Sequence, residues 1–240
     1  LCTVVEGVNA GHLVEIGARS NVGKTSFHAS MIASPKGFAA QGANCMVLCN
    51  EEGSPRVGAR YLQACTGMTL MQIKENPKAA WDMYGKIRDN IFLKDVTGKD
   101  MGWVESVCKS YKPDIVVLDM GDKFATTQGF ARTDEALKAN VVYARQIAKM
   151  YECAMFYMSQ LSAEAEGKIQ LNQAMMEGSR TGKAAEADLM ILIAKNPPVE
   201  GVTGEEESTQ RHLNVVKNKL SGWHGRIICE LDYRTARYTA

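Results

Sequence analysis

The stretch Gly17-Ala-Arg-Ser-Asn-Val-Gly-Lys-Thr25 holds the residue types that a polyphosphate needs. Successive backbone N–H groups in a glycine-containing turn can wrap phosphate oxygens, the Lys24 ammonium supplies a point charge at the β/γ-phosphates, and the Thr25 hydroxyl can hold Mg²⁺. Ala18, Arg19, Ser20, Asn21, Val22, Gly23, Lys24, Thr25 and Ser26 are therefore the candidate nucleotide-binding residues. The general pattern G-x-x-x-x-G-K-[ST] asks for glycine where this chain has Ala18, with Gly17 one residue earlier. Three more apolar runs end in residues of matching chemistry. Asp114-Ile-Val-Val-Leu-Asp119 ends in an acid able to hold the hydration shell of Mg²⁺. Cys45-Met-Val-Leu-Cys49 runs into Asn50-Glu51-Glu52. Hydrolysis needs a group that orients or deprotonates the attacking water, and Glu51 is the first choice for that base, with Glu52 second. Met155-Phe-Tyr-Met-Ser-Gln160 ends in an amide that can sense the γ-phosphate and pass its state to the loop behind it.

These residues need a scaffold that brings strand ends together. His12-Leu-Val-Glu-Ile16 alternates and is apolar enough for a strand, and Phe27, Met31 and Ile32 follow the loop at helical spacing. The pattern predicts strands near 12–17, 44–50, 91–94, 114–119, 153–158, 188–194, 211–217 and 226–232. Helices are expected near 24–33, 55–65, 70–74, 78–88, 101–110, 133–151 and 178–186. Alternation of this kind predicts an α/β fold with a mostly parallel twisted sheet flanked by helices. The most polar loops fall at 120–133, 162–182 and 196–210, long enough to suggest function.

Composition bounds the partners. With 240 residues, 45% hydrophobic and 23% charged, the chain reads as a globular domain with no apolar run long enough for a membrane span. It opens on Leu1-Cys-Thr-Val-Val without an initiator Met or targeting pattern, so residues 1–240 read as one domain of a longer protein with missing upstream sequence. Seven cysteines, none in a C-x-x-C pair, read as reduced core thiols of a cytoplasmic or organellar-matrix protein. A net charge of +1 argues against a surface wrapped in DNA, while leaving room for a few basic loops on one strand. The four histidines and thirteen methionines suggest no site.

The set of strand ends resembles the RecA-type ATPase core of DnaB-like replicative helicases. The opening V-E-G-V-N-A-G-H-L-V-E-I-G-A-R-S-N-V-G-K-T-S-F is similar to that family's G-G-L-x-x-G-x-L-x-x-I-x-A-R-P-x-x-G-K-T-x-F, which shares the alanine at Ala18 and has proline where this chain has Ser20. The resemblance implies a hydrolytic role for Glu51, a metal-site role for Asp119 and a phosphate-sensing role for Gln160 in Met158-Ser-Gln160-Leu. Residues 176–191 match the family's L-R-x-S-G-x-I-x-x-x-A-D segment more loosely, with Glu177 where the family has arginine.

Further roles follow only from the resemblance. Lys217 and Lys219, followed by Gly222 and Gly225, resemble the basic C-terminal antiparallel hairpin that reaches the ATP of the neighbouring subunit. Lys195 and Tyr233 match positions that hold the nucleotide base. Lys123, Arg132, Lys168, Arg180 and Lys183 lie on loops that face the axis of the assembly and are candidate DNA contacts. The implied function is an ATP-dependent helicase motor using ATP or another NTP with Mg²⁺. Its implied partners are single-stranded DNA, further copies in a homo-oligomeric, hexameric ring, and primase or other replisome proteins. Lys219 stands where DnaB-like helicases usually have arginine and RecA recombinases have lysine. A RecA/RadA-like recombinase or recombination mediator therefore stays open, as does a regulatory RecA-fold ATPase acting on protein.

Overall fold

The computed structural model describes residues 2–126, 129–130, 132–178, 180–197 and 208–239. After the short α1 (Cys2–Val5), β1 (Leu13–Ala18) leads through the phosphate loop into α2 (Lys24–Ala33). The elements β2 (Cys45–Cys49), α3 (Ser54–Thr66), α4 (Leu70–Glu75), α5 (Pro77–Tyr84), β3 (Ile91–Asp95), α6 (Met101–Tyr111) and β4 (Ile115–Asp119) follow. The chain continues with α7 (Thr133–Met150), β5 (Ala154–Gln160), α8 (Arg180–Glu186), β6 (Leu189–Lys195), β7 (Gln210–Asn218), β8 (Gly225–Asp232) and β9 (Arg237–Thr239).

Among the described residues, nine strands form one sheet in the order β3-β2-β4-β5-β1-β6-β7-β8-β9. The first six are parallel, and β7, β8 and β9 add antiparallel strands at one edge. Strand β1 lies between β5 and β6, so its end opens into the central crevice outside the carboxyl edge, where open α/β sheets bind ligands. Helices cover both faces, which explains strands that are apolar almost without a break. One face packs Ile16, Val47 and Phe156 against Phe27, Ile32 and Tyr61 of α2 and α3. The other packs Met46, Leu118 and Met155 against Val104 of α6 and Val141 and Ile147 of α7.

Local chemistry sets the boundaries. Thr69 and Gln72 form a reciprocal capping box at α4, and Asp100 caps α6 by accepting from the Trp103 N–H at 2.8 Å. The helix expected over 78–88 stops at Tyr84, where Gly85 closes the last turn onto the Trp81 carbonyl at 2.7 Å, and Arg88–Asn90 make a separate 3-10 turn. The hairpin expected at the C-terminus gains a third strand, β9. Asp232 accepts from the Arg234 N–H at 2.9 Å and from the Thr235 hydroxyl, and Ala236 turns through φ 52°, folding the last residues back onto β8.

Candidate active site

The carboxyl ends of β1, β2 and β5 meet in one cleft. It is lined by Arg19, Ser20, Asn21, Gly23, Lys24, Thr25, Ser26, Glu51, Glu52, Arg56, Arg60 and Gln160. Ala18 and Val22 turn inward and are buried behind it. Gly23 caps α2 at φ 109°, a left-handed conformation, and a Cβ there would stand 2.5 Å from Leu231 of β8. Glycine is therefore required where the loop becomes the helix, and the N-terminus of α2 is left facing the cleft.

Lys24 is nearly buried, with its ammonium against the Met120 sulfur and 4.0 Å from Glu51 Oε2. Burial pushes its pKa down, while Asp119, Glu51 and Asp122 act against that shift. A phosphate would add negative charge beside this ammonium. Asp119, at the end of β4, is completely buried, and neither carboxylate oxygen has a hydrogen-bond partner. Burial pushes the Asp119 carboxyl up, but His28, Lys24 and Arg60 outweigh it and hold the group below the usual carboxylate range. A buried carboxylate with both oxygens unsatisfied, beside a phosphate loop, fits a divalent cation. The chain then turns through φ 61° at Met120, backbone strain held next to the site.

The two glutamates after β2 separate clearly. Glu52 is clamped by Arg56 at 3.0 Å and Arg60 at 2.7 Å. Glu51 turns Oε1 to Lys123 at 3.2 Å and Oε2 towards Lys24, and its side chain is 37% exposed, which suits a group that must meet water. Gln160 reaches across to the phosphate loop, donating to the Ser20 hydroxyl at 3.3 Å. Arg19 runs the other way, donating to the Leu161 carbonyl at 2.9 Å and pairing with Glu166 at 3.0 Å.

The model of the DnaB-like helicase C-terminal domain matches residues 1–239. The chain belongs to that family. Its fold is similar to a structure described as a DnaB-like replicative helicase and its interactions with primase, with TM-score 0.81 and 16% identity over 99% of this chain. The chain spans 59% of that protein's length. It is also similar to a second solved structure, described as an ATPase domain, with TM-score 0.84 and 16% identity over 99% of this chain and 87% of that one. Among curated proteins no sequence matches. Membership of the DnaB-like family leaves the recombinase alternative unfavoured.

In this DnaB-like domain the remaining candidates are scattered around the cleft. Lys217 donates to the Ala184 and Ala185 carbonyls and Lys219 to Ala185 at 3.4 Å, so both ammonium groups cap the C-terminus of α8 in the single chain. Lys195 borders an adjoining hollow with Arg19, Val22 and Lys168, and the exposed Tyr233 ring lies 5.0 Å from the Arg211 guanidinium. Neither residue lines the phosphate cleft itself.

Of the DNA candidates, Lys168 is exposed. Arg132 is exposed and engaged by Asp134 at 2.8 Å, whereas Lys123 sits on Glu51. The Arg180 side chain lies outside the described residues. Lys183 is corrected by the structure: it is completely buried, paired with Asp122 at 2.6 Å and bonded to the Ser159 hydroxyl at 3.1 Å, which withholds it from a DNA strand.

Reading the histidines as siteless also needs correction. His28, buried on α2, bonds the Tyr61 hydroxyl at 2.9 Å and brings Nε2 to 3.6 Å from Asp119. Its place one turn along the helix from Lys24 was the available signal. Glu15 and Arg211, both buried near the loop, were also missed. No described helix is long and apolar enough to cross a membrane.

Proposed function

We propose that this domain is the NTP-driven motor of a replicative DNA helicase, working at subunit interfaces of a hexameric ring and translocating on single-stranded DNA. The observation that carries the reading is the gathering of Lys24, Glu51 and Gln160 around one cleft, with the unsatisfied Asp119 carboxylate beside Lys24, in a chain of the DnaB-like family. Backbone N–H groups of residues 19–25 and the Lys24 ammonium bind the phosphates. Thr25 and Asp119 would hold Mg²⁺, which when bound neutralises charge on the phosphate oxygens. Glu51 takes the proton of the attacking water.

Gln160 and Arg19 tie the phosphate loop to the chain leaving β5, so a change at the γ-phosphate has a direct covalent and hydrogen-bonded route to a candidate DNA loop. Lys195 and Tyr233 would hold the base. Lys123, Arg132, Lys168 and Arg180 are the cations left as candidate DNA contacts. A primase partner, as described for the similar replicative helicase, fits the same reading.

NTP turnover measured with and without single-stranded DNA, alongside unwinding of a forked duplex, tests the proposal. Stimulation together with unwinding is expected. No stimulation removes the DNA-motor reading, and stimulation without unwinding returns the recombinase.

Lys219 is the second point of test. Its bond to Ala185 is long and its side chain exposed, so little holds it in cis, and an interfacial phosphate would outcompete that carbonyl. Lys219→Ala is expected to abolish turnover with nucleotide binding intact, and mixing it with Lys24→Ala is expected to restore partial activity at mixed interfaces. Full activity of Lys219→Ala alone would remove the trans role.

A further inference from the structure

Arg211, on β7, is completely buried, a rare state for arginine. Its Nε donates to the carbonyl of Val22, inside the phosphate loop, at 2.7 Å. Its Nη1 donates to the Ser208 and Gln210 carbonyls at 2.6 and 2.7 Å, which fixes the guanidinium plane from the side of its own strand. One residue further along the loop, the Tyr238 hydroxyl of β9 donates to the Gly23 carbonyl at 3.3 Å. The Val22 carbonyl is thus held from behind by β7, and the Gly23 carbonyl by β9 together with the Phe27 N–H of α2 at 2.9 Å.

In a planar trans peptide the C=O of one residue and the N–H of the next point in opposite directions. Drawing the Val22 carbonyl back towards Arg211 therefore aims the Gly23 N–H away from Arg211. Drawing back the Gly23 carbonyl does the same for the Lys24 N–H. These are the backbone donors that a phosphate loop offers to its ligand. The buried guanidinium also adds a fixed positive charge behind an anion site, where low dielectric makes it count.

We infer that Arg211 is a positioning residue of the nucleotide site: it holds the phosphate loop in its binding shape through the Val22 carbonyl, with Tyr238 as its partner at Gly23. The inference rests on the reading of the cleft as a nucleotide site. It assigns β7 a double task, since the strand that would offer Lys217, and Lys219 just beyond its end, to a neighbouring site holds the domain's own phosphate loop at its other end.

The experiment uses Arg211→Met, Arg211→Lys and Tyr238→Phe in the full chain, with affinity read by a fluorescent ATP analogue and by competition with inorganic tripolyphosphate, which has no base. Arg211→Met is expected to weaken both ligands in parallel by roughly tenfold or more. Arg211→Lys, which keeps the charge and one donor, is expected to recover part of that loss, and Tyr238→Phe to weaken both ligands about threefold. In turnover, the loss is expected in KM more than in kcat, with the unliganded melting temperature reported for each variant.

Unchanged affinity in a folded Arg211→Met overturns the inference, and so does a loss confined to the ATP analogue, which would put Arg211 on the base side through Tyr233. If Arg211→Met fails to fold, Arg211→Lys and Tyr238→Phe decide: normal tripolyphosphate affinity in both overturns it. Failure of the parent protein to bind either ligand would instead overturn the nucleotide reading of the cleft.

Discussion

Glu51→Gln is expected to lower NTP turnover by roughly 10²–10⁴-fold, the span that a positioned general base contributes, while nucleotide binding is retained. The structure separates the two candidate glutamates by what already occupies them. Glu52 is held by two arginines at 3.0 and 2.7 Å, one of them partly buried, so its lone pairs are already committed. Glu51 presents Oε2 to the Lys24 side of the cleft, and that contact of 4.0 Å is long enough to yield when Lys24 turns to a phosphate. Lys123 then remains at Oε1 and fixes the orientation of the carboxylate.

Removing the Glu51 charge also removes a repulsion for the incoming polyphosphate, so affinity is expected to hold or tighten. Single-turnover hydrolysis and nucleotide affinity of Glu51→Gln and Glu52→Gln, measured side by side, decide the assignment. A larger loss of hydrolysis in Glu52→Gln would pass the base role to Glu52 and recast Glu51 as a partner of Lys24 and Lys123.

The same geometry explains which parts of the molecule were legible in the sequence. Strand β4 and helix α2 were readable because continuous apolar runs and helical spacing are local properties, and the phosphate loop interrupts them at a fixed place. Even the end of β5 was nearly visible, although the strand runs two residues past 158 to reach Gln160. Strand order was not readable. That β1 sits between β5 and β6 is decided by which faces the helices cover, and no local pattern encodes it.

Lys183 and Glu15 failed for one common reason. Each was judged by its own charge, Lys183 as a solvent-facing cation and Glu15 as the polar member of an alternating strand. In the fold β1 is buried on both faces, and the two charges meet the same buried network. Arg211 eluded the sequence similarly, because its acceptors are backbone carbonyls, the decisive one from the distant Val22, and a carbonyl has no sequence signature.

That buried network makes the second large effect a matter of pH: the stability advantage of Glu15→Gln over the parent is expected to grow by roughly 3 kcal/mol between pH 4 and pH 8. Glu15 is completely buried in the middle of β1, its Oε1 receives the Ser159 hydroxyl, and Oε2 has no hydrogen-bond partner. Burial pushes its pKa from 4.5 up to about 7, with Asp122 adding to the rise, while Lys183, Ser159 and Lys24 act against it.

Between those two values the native state holds a proton that the unfolded chain has released, so stability falls as pH rises through the window and is fully reduced above about 7. A glutamine, which never ionises, removes that slope. Lys183 does not cancel the effect, because its ammonium is already committed to Asp122 at 2.6 Å, and a buried cation shared between two carboxylates cannot satisfy both. Urea unfolding of the parent and of Glu15→Gln at pH 4, 6 and 8 checks the sign. Identical pH slopes in the two proteins would mean that Glu15 stays ionised in the native state, with Lys183 as its effective partner.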